Sequence, residues 1–504
     1  MYSSLEELKK HPVFYYFSEI SNIPRGSGNE KAISDYLLYF AKQRNLEVIQ
    51  DEALNIIIKK PAVTGYEDIP AVIIQGHMDM VCEKNKESLH DFEKDPLQLR
   101  IVGDMLYATD TTLGADNGIA VAYALALLDS DDIPHPALEV VITTEEETNM
   151  RGAFAVDPAC LDGEIFINID SEEDNKLLVS GAGGIKATQI LTITWQEAPE
   201  NAVGYRISIR GLKGGHSGMS IHKGRGNANK IIGRLLYDLS SAFPYFIQEI
   251  NGGSAVNAIP READVTILLQ SSEIGQLENK IQEWNQVLKN ELRASDPDIY
   301  VKLEKIPLDC TKVFSEQTMN KAITFLMLIP NGIQSMSMEI EGLVESSTNI
   351  GVVTTIDKEL LFESDIRSSV KSLKDNIRNQ MKLMADTLDC QFTTDCNYPE
   401  WPYQPHSNIR RLFEKVYKDR HGTDIELIAV HAGFECGIFV EKLPGIDAIS
   451  IGPDIYDVHT PNEHLNIPST LNNWRYFLSV LKEMNTFKFE EHNETAIEEA
   501  EEVS

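Results

Sequence analysis

Residues 71–82, AVIIQGHMDMVC, begin as a buried strand and end in a histidine and a carboxylate two positions apart. The apolar run 71–74 is long enough for a strand and too short for a helix. Gly76 lets the backbone turn or approach another segment closely. Because residues i and i+2 of a strand share a face, His77 and Asp79 start side by side at a strand end, where open α/β sheets bind ligands. Alone, this pair fits either a supported metal ligand or an ordinary surface pair.

Three other apolar runs have the length of a strand, at residues 55–59, 138–142 and 165–169. The second run leads into the acidic residues 145–147, and the third ends at Asp170. Together with residues 71–74 they predict a doubly wound sheet of an α/β protein, in which the strands end at one charged rim.

Two further segments add polar candidates to this rim. Asp116 lies in the turn TTLGADN, just before an apolar helix predicted over residues 119–128, so it could also be an ordinary N-cap. The segment ISIGPDIYDVHTPNEHL, residues 449–465, brings His459 and His464. Two imidazoles and several carboxylates without a thiolate suit zinc, manganese or cobalt. This donor set comprises His77, Asp79, Asp116, Glu145, Glu146, Glu147, Asp170 and His459.

The middle of the chain reads as a separate α+β domain inserted into the first. It begins after SGAGG, residues 180–184, and the Pro-rich segment NYPEWPYQP, residues 397–405, leads back. Between them, residues 205–209 and 360–366 have strand patterns. Apolar residues at helical spacing over 274–288 and 373–388 predict two amphipathic helices facing a core.

Composition limits the class of partner. The chain has 504 residues and a net charge of -33, from 45 Lys and Arg against 78 Asp and Glu. Nucleic acid and anionic membranes require a basic surface, so neither is expected as a partner. The longest apolar run is too short to cross a bilayer, and part of the acidic excess lies in residues 490–504, which we expect to be frayed.

The cysteine pattern indicates a reducing compartment. Six cysteines are scattered without a C-x-x-C motif, which fits neither a disulfide scaffold nor a structural zinc site. We expect Cys82 and Cys436, which lie close to the candidate rim in sequence, to be packed thiols. The first residues, MYSSLEELKKHPVF, contain acids and no apolar core, so no signal peptide is expected and the predicted location is the cytoplasm.

Eleven segments in family order resemble the M20 metallopeptidases, and within them the aminoacyl-histidine dipeptidases. The resemblance runs from about residue 20 to residue 466, so it covers most of the chain. The segments are GHMDMV, GADNGIA, TTEEETNMRGA, INIDSEE, LKGGHSG, GNANKII, SAVNAIPREA, SSTNIG, DIRSSV, HAGFECG and HTPNEHL.

The resemblance implies an architecture. A zinc-exopeptidase-like α/β catalytic domain, with a mixed or parallel sheet flanked by helices, would comprise residues 1–186 and 399–504. Residues 187–398 would form an inserted α+β lid or dimerisation domain. The implied cofactor is a pair of divalent metal ions, zinc first and cobalt or manganese as alternatives, and the implied assembly is a homodimer.

The resemblance also implies roles for individual residues. His77 and Asp170 would bind one metal ion, Glu147 and His459 the other, and Asp116 would bridge them. Asp79 would support His77 from behind, and Glu146 would be the general base. His216 would stabilise the oxyanion, Asn257 and Arg367 would hold the terminal carboxylate of the substrate, Gly433 and Glu435 would line the pocket, and His464 would be structural.

One departure from the family pattern affects the acidic run. The family usually has one Glu pair, whereas three Glu precede Thr148 here. Aligning on Met150-x-Gly152-Ala153 selects Glu146 as the base and Glu147 as the ligand, and the other register stays open.

The implied activity is hydrolysis of dipeptides of the type Xaa-His, including β-alanyl-histidine, by a water activated between two metal ions. The first alternative is another amidohydrolase of the same design, either a broader dipeptidase or an aminoacylase. The second is a metal-binding protein without activity, which the presence of both a base and ligands disfavours.

Overall fold

The computed structural model describes residues 2, 4–307 and 312–490. Cys310 and residues 491–504 of the acidic tail therefore lie outside the described residues. The chain divides into two compact units. The first unit comprises Met1–Ser180, Tyr403–Ile428 and Ile438–Ser504, and the second comprises Gly181–Pro402 and Ala429–Gly437.

The strands are numbered in chain order. They are β1 (Glu47–Gln50), β2 (Ile56–Lys60), β3 (Val72–His77), β4 (Leu99–Val102), β5 (Met105–Ala108), β6 (Leu138–Thr143), β7 (Ile165–Asn168), β8 (Lys176–Gly181), β9 (Gly183–Thr192), β10 (Trp195–Glu197), β11 (Val203–Arg210), β12 (Gly215–His216), β13 (Phe246–Gly252), β14 (Ala258–Ile259), β15 (Ala263–Leu269), β16 (Tyr300–Ile306), β17 (Lys312–Phe314), β18 (Gly332–Met336), β19 (Val344–Ile356), β20 (Glu359–Ser368), β21 (Gln391–Tyr398), β22 (Glu426–Val430), β23 (Asp447–Ser450), β24 (Ile455–Tyr456) and β25 (His464–Asn466).

The α-helices are numbered in the same way, and none of those in the described part of the chain is long and apolar enough to cross a membrane. They are α1 (Leu5–Leu8), α2 (Pro12–Ile20), α3 (Lys31–Gln43), α4 (Ala115–Asp129), α5 (Glu146–Asn149), α6 (Arg151–Ala155), α7 (Ala228–Ala242), α8 (Ile274–Glu291), α9 (Glu316–Leu328), α10 (Lys371–Thr387), α11 (Asn408–His421), α12 (Glu435–Lys442) and α13 (Ile467–Glu483).

The sheet of the first unit has the strand order β1-β2-β6-β3-β7-β23-β8-β22. Strands β6, β3, β7 and β23 run parallel to one another. Every residue of β3, β6 and β7 is buried, which is typical of parallel strands covered on both faces. The three apolar runs 71–74, 138–142 and 165–169 therefore end at one edge, as predicted.

The predicted strand at residues 55–59 runs in the opposite direction to the other three predicted strands. Residues 55–59 lie largely in β2, which pairs antiparallel with both β1 and β6. Because β2 runs antiparallel to β6, it ends at the rim opposite the one where β3, β6 and β7 end. The prediction that all four strands end at one charged rim is therefore wrong for this strand, and the sheet is mixed.

Helix α4 lies against β3, and Gly76 permits their close approach. A Cβ atom at Gly76 would lie 2.3 Å from Asn117 Oδ1 and 2.4 Å from the Cβ of Ala120. These separations are shorter than any van der Waals contact, so only glycine fits here. This close approach brings the end of β3, with His77, to the start of α4, with Asp116.

The second unit is built on another sheet, of order β16-β11-β15-β13-β19-β20-β9-β21, with β18 paired to β19. Helices α7, α8, α9 and α10 pack against it around one apolar core. Both amphipathic helices predicted from the sequence are present as α8 and α10, and the residues of their apolar stripes are buried or partly buried. This unit therefore has its own core of sheet and helices.

Candidate metal centre

His77 is the last residue of β3 and is fully buried. Its Nδ1 lies 3.2 Å from the carbonyl oxygen of Asp79 and 3.3 Å from Asp79 Oδ1. Its Nε2 lies 3.2 Å from Asp116 Oδ1 and 3.6 Å from Asp170 Oδ1. Since Asp79 offers only acceptors to Nδ1, this nitrogen keeps its proton. A metal ion among the other carboxylates would displace the proton of Nε2, and this would leave the tautomer that a metal ligand requires.

Asp116 lies between two imidazoles. Its Oδ1 faces His77 Nε2 and its Oδ2 lies 3.2 Å from His459 Nε2. His459 Nε2 is also 3.0 Å from Glu147 Oε2. A carboxylate with one oxygen directed to each of two donor groups has the arrangement of a ligand that bridges two metal ions.

The donor atoms fall into three overlapping groups, in each of which all atoms lie within 4.8 Å of one another. Imidazole nitrogen and carboxylate oxygen suit zinc, manganese and cobalt, so the residues fit a pair of such ions. The groups are His77 with Asp116 and Asp170, His77 with Glu146 and Glu147, and Asp116 with Glu147 and His459.

The electrostatics of the cluster favour added positive charge. Burial opposes protonation of His77, but hydrogen bonds to Asp116 and Asp170 raise its pKa well above the usual value. Hydrogen bonds to Asp116 and Glu147 raise the pKa of His459 to about 11. Burial raises the pKa of Asp170 to about 6. The crowded carboxylates therefore stabilise cations at this rim.

Asp79 supports the site through backbone groups as well as through His77. Its Oδ1 accepts the N–H of Glu146 at 3.1 Å. Its Oδ2 accepts the N–H of Glu147 at 3.3 Å and the hydroxyl of Ser27 at 2.8 Å. This buried carboxylate thus fixes an imidazole and the backbone of the Glu pair together.

The three glutamates of the acidic run have different partners. The carboxylate of Glu145 pairs with Arg151 Nη1 at 2.7 Å, and that of Glu147 contacts His459. Glu146 Oε2 lies 3.9 Å from His77 Nε2. The register with Glu146 as base and Glu147 as ligand stays a prediction, because Glu146 and Glu147 both belong to a group of possible metal donors.

The loop that carries these glutamates is held by Asn55, which the sequence did not single out. Asn55 Oδ1 accepts the N–H of Thr144 at 3.1 Å, and Nδ2 donates to the carbonyl oxygen of Gly152 at 2.9 Å. A Cβ atom at Gly152 would lie 2.4 Å from the backbone of Thr144. Only glycine therefore lets the two ends of the loop meet.

Glu463 is a second residue without a role in the sequence analysis, although it lies in the quoted motif HTPNEHL. Its buried carboxylate accepts four backbone N–H groups at the start of α4, at distances between 2.8 and 3.3 Å. The donors are Leu113 and Gly114 to Oε2, and Ala115 and Asp116 to Oε1. Glu463 thereby fixes the backbone that presents the bridging carboxylate.

Arg25 and Asn117 also hold the backbone segments that carry His77 and Asp116. The buried guanidinium of Arg25 donates from Nη1 to the carbonyl oxygens of Met78 and Asp79, and from Nη2 to that of Gly114. Asn117 Oδ1 accepts the N–H of His77 at 3.1 Å. Both side chains join the end of β3 to the start of α4. Asn117 lies in the quoted motif GADNGIA, but no residue pattern indicated this role for either side chain.

His464 lies apart from the donor groups described above. Its ring stacks on Tyr107 with centroids 4.7 Å apart, and its Nδ1 lies 2.8 Å from the carbonyl oxygen of Asn462. Cys436 is buried, as expected of a packed thiol, whereas Cys82 is exposed. The expectation of a packed thiol is wrong for Cys82, because it lies beyond the end of β3, where the chain has left the sheet.

The remaining predicted site residues lie in the second unit. There, His216 Nδ1 accepts the backbone N–H groups of Gly218 at 3.2 Å and Met219 at 3.1 Å. Burial and the charge of Arg367 lower the pKa of His216. The ring is therefore neutral at pH ~7 with its proton on Nε2, and Nε2–H is available to donate to an oxyanion.

The guanidinium of Arg367 is held at two of its three nitrogens. Nε donates to Asp365 Oδ2 at 2.8 Å, and Nη1 donates to the hydroxyl of Tyr398 at 3.0 Å. Arg367 is only 7% exposed, and Nη2 donates to none of the residues that the structure describes. This nitrogen is suited to a carboxylate of a ligand.

Of the other three predicted residues of the second unit, Asn257 and Gly433 lie in loops and Glu435 begins α12. Asn257 lies beside the His216 strand, since its carbonyl oxygen accepts the N–H of Ser217 at 2.8 Å. Gly433 is half-buried in the loop before α12, and Glu435 is fully buried at the first turn of that helix.

Comparison with known proteins decides the family. Residues 207–296 match the M20 family described as "Peptidase dimerisation domain". The chain is 35% identical over 482 residues to the cytosol non-specific dipeptidase of Escherichia coli strain K12, covering 96% of this chain and 99% of the relative. The chain belongs to the M20 family of metallopeptidases.

Solved structures agree with this assignment. The crystal structure of aminoacylhistidine dipeptidase from Vibrio alginolyticus is 36% identical, with a TM-score of 0.89 over 95% of this chain and 97% of that one. An aminopeptidase from Bacillus cereus shares the fold at 14% identity, with a TM-score of 0.55 over 94% of this chain and 98% of that one. For this M20 peptidase, the predicted family, the α/β fold with a mixed sheet and a dimerisation domain, and the assignment as a hydrolase of peptide bonds are confirmed.

Proposed function

We propose that this M20 peptidase is a metal-dependent dipeptidase that hydrolyses dipeptides of the type Xaa-His, including β-alanyl-histidine. The observation that carries the proposal is the placement of Asp116 between the imidazoles of His77 and His459. The names of two relatives, a non-specific dipeptidase and an aminoacylhistidine dipeptidase, support dipeptides as the substrate class and histidine at the second position.

The cofactor we propose is a pair of divalent ions, zinc first, with cobalt or manganese as alternatives. His77 and Asp170 would hold one ion, and Glu147 and His459 would hold the other. Asp116 would bind both ions. When bound, such ions lower the pKa of a shared water towards ~7 and polarise the peptide carbonyl. The donor set of nitrogen and oxygen atoms supports this choice of metals.

The residues of the chain would then divide the remaining work. Glu146 takes the proton of the attacking water and passes it to the leaving amine. Asp79 keeps His77 in the tautomer that leaves Nε2 free. His216 donates from Nε2–H to the developing oxyanion. Arg367 and Asn257 hold the terminal carboxylate of the substrate, and Gly433 and Glu435 line the pocket.

We further propose that residues 1–186 and 399–504 form the catalytic domain and that residues 187–398 form the lid and dimerisation domain. The match of residues 207–296 to a dimerisation domain supports a homodimer. The word cytosol in the name of the bacterial relative supports a cytoplasmic location.

Activity on a panel of Xaa-His, Xaa-Gly and N-acyl amino acids tests the substrate class, with bound metal per chain measured before and after chelation. We expect fastest turnover of Xaa-His, its loss with a chelator and its return with zinc, cobalt or manganese. Turnover of N-acyl amino acids alone would identify an aminoacylase. Bound metal without turnover of any compound in the panel would show that the chain is an inactive metal-binding protein.

Replacing Glu146 by Ala tests the assigned base. We expect turnover to fall at least ~100-fold, the lower end for a general base, with metal content near that of the wild type. Glu145→Ala is the matched control, because Glu145 belongs to the same run but pairs with Arg151, and it should keep its activity. Loss of metal in Glu146→Ala would instead support the other register.

A further inference from the structure

Four buried polar side chains lie on one face of the sheet in the second unit. In the register of β19 with β20, Ser347 lies opposite Arg367 and Asn349 opposite Asp365. Alternate residues of a strand share a face, so the four form one polar surface, and each is less than a tenth exposed. Buried polar groups require partners, and their partners include the segments that carry His216 and Asn257.

One oxygen of Asp365 joins two of the proposed substrate-binding elements. Asp365 Oδ2 accepts the hydroxyl of Ser217 at 2.6 Å and Nε–H of Arg367 at 2.8 Å. Ser217 directly follows His216, the proposed oxyanion donor. The guanidinium and the imidazole loop are therefore tied to the same atom.

We propose that Asp365 is a positioning residue that sets Arg367 and the His216 loop relative to each other. It thereby couples binding of the terminal carboxylate of the substrate to stabilisation of the oxyanion. This inference rests on the proposed function, because it assigns Arg367 to the carboxylate and His216 to the oxyanion. It adds a residue that touches neither the substrate nor the metal ions.

The second support of Arg367 shows how closely its guanidinium is fixed. Nη1 donates to Tyr398, and a Cβ atom at Gly184 would lie 2.4 Å from the ring of that tyrosine. The ring therefore rests on the backbone of β9, and the guanidinium is held at Nε and Nη1. Loss of Asp365 would leave one of these two supports and would also free the hydroxyl of Ser217.

Removing Asp365 should affect two parts of the reaction separately. The Arg367 contact matters only for a substrate with a terminal carboxylate, whereas the Ser217 contact acts on the oxyanion of every substrate. A dipeptide Xaa-His and its amide, Xaa-histidinamide, therefore separate the two effects. Ser217→Ala removes only the contact between Ser217 and Asp365. It should lower kcat for both substrates about tenfold, because the loss of one hydrogen bond to a charged group has about this effect.

The experiment compares Asp365→Ala, Asp365→Asn and a matched control in the metal-loaded full-length enzyme. Asp264 offers the control, because it accepts the hydroxyl of Ser208 and two bonds from Arg210 in the same unit. Asp264→Ala thus removes another carboxylate that joins a serine to an arginine, and the partners of this carboxylate, Ser208 and Arg210, are not proposed site residues. Urea midpoints measure the effect of each variant on stability.

For Asp365→Ala we expect kcat/KM to fall on the order of 100-fold for Xaa-His and about tenfold for the amide, with KM rising only for Xaa-His. Asp365→Asn keeps an oxygen that can accept both bonds. It should show the same pattern with a smaller loss, and it carries the test if Asp365→Ala does not fold.

Equal losses on the two substrates, or the same behaviour in the Asp365 and Asp264 variants, would overturn the inference while the dipeptidase activity of the wild type stands. A wild type without activity on Xaa-His would overturn the proposed function and this inference together.

Discussion

Replacing Glu463 by Gln should weaken metal binding without touching a metal ligand. The carboxylate accepts four backbone N–H groups, two at each oxygen, from the residues that lead to Asp116. Glutamine has the same shape, but one of its two ends is an NH₂ group that donates. Two buried N–H groups would therefore face a donor instead of an acceptor.

The size of the effect follows from these lost bonds. A buried donor without an acceptor costs ~1–3 kcal/mol, so two of them should lower the free energy of unfolding by about 2–6 kcal/mol. Residues that orient a metal ligand typically change metal affinity by roughly 10–100-fold. We expect a change of this size, because Glu463 sets the backbone of the proposed bridging ligand.

The assay is activity on Xaa-His as a function of free metal ion in a buffered metal series, with bound metal measured in parallel by equilibrium dialysis. The variant should need a roughly 10–100-fold higher free metal concentration for half-maximal activity. At saturating metal its maximal rate should approach that of the wild type, because no group that touches the substrate has changed.

Glu139→Gln is the matched control. The carboxylate of Glu139 is buried in the same unit, pairs with Lys59 and accepts the backbone N–H groups of Asp162 and Gly163. It lies near the start of β6, at the rim opposite the metal centre. This variant should lose stability but keep its metal affinity, and equal metal affinity in the wild type and both variants would refute the reasoning.

Gly76→Ala should lower the urea midpoint by the equivalent of ~1–3 kcal/mol, the usual cost of overpacking, because its Cβ would overlap Asn117 Oδ1; an unchanged midpoint would contradict this close approach. Burial lowers the pKa of His431 to about 3, whereas the pKa of a histidine in the unfolded chain is about 6.5. As the pH falls below about 6.5, the unfolded chain therefore binds a proton at this residue and the folded chain does not. Stability should therefore fall by about 2 kcal/mol between about pH 7.5 and about pH 5, and His431→Asn should reduce this part of the slope. The amide of Asn349 donates to the carbonyl oxygens on either side of Asn257, so Asn349→Ala should raise KM for Xaa-His by about tenfold with little change in kcat, and a loss confined to kcat would refute the assignment.

The parts of the fold that the sequence predicted are those set by local pattern. Apolar runs marked β3, β6 and β7 because parallel strands covered on both faces are apolar at every position. The stripes of α8 and α10 followed from helical spacing. The direction of β2 did not follow, because an apolar strand has the same pattern whether it pairs parallel or antiparallel, and its pairing with β1 and β6 is decided by contacts between distant residues.

The candidate site was predicted unevenly for a related reason. His77, Asp116 and His459 were recognised from short motifs in which residue type indicates metal chemistry. Arg25 and Glu463 were not, because their partners are backbone groups. A backbone N–H or carbonyl is present at nearly every position, so nothing in the composition of the partner segment points to the side chain that binds it.

The acidic side chains around the candidate metal centre form two sets with different hydrogen-bond partners, and residue type alone does not distinguish the two sets. Asp79, Glu463 and Glu30 accept backbone N–H groups. These dipoles lower the pKa of each carboxyl group while burial raises it, for Glu463 to about 7. Asp116 and Glu147 instead face imidazoles, whose nitrogens are themselves metal ligands. Protonated imidazoles balance this negative charge, as the raised pKa values of His77 and His459 indicate. A metal ion bound by the same nitrogens and oxygens would replace their protons.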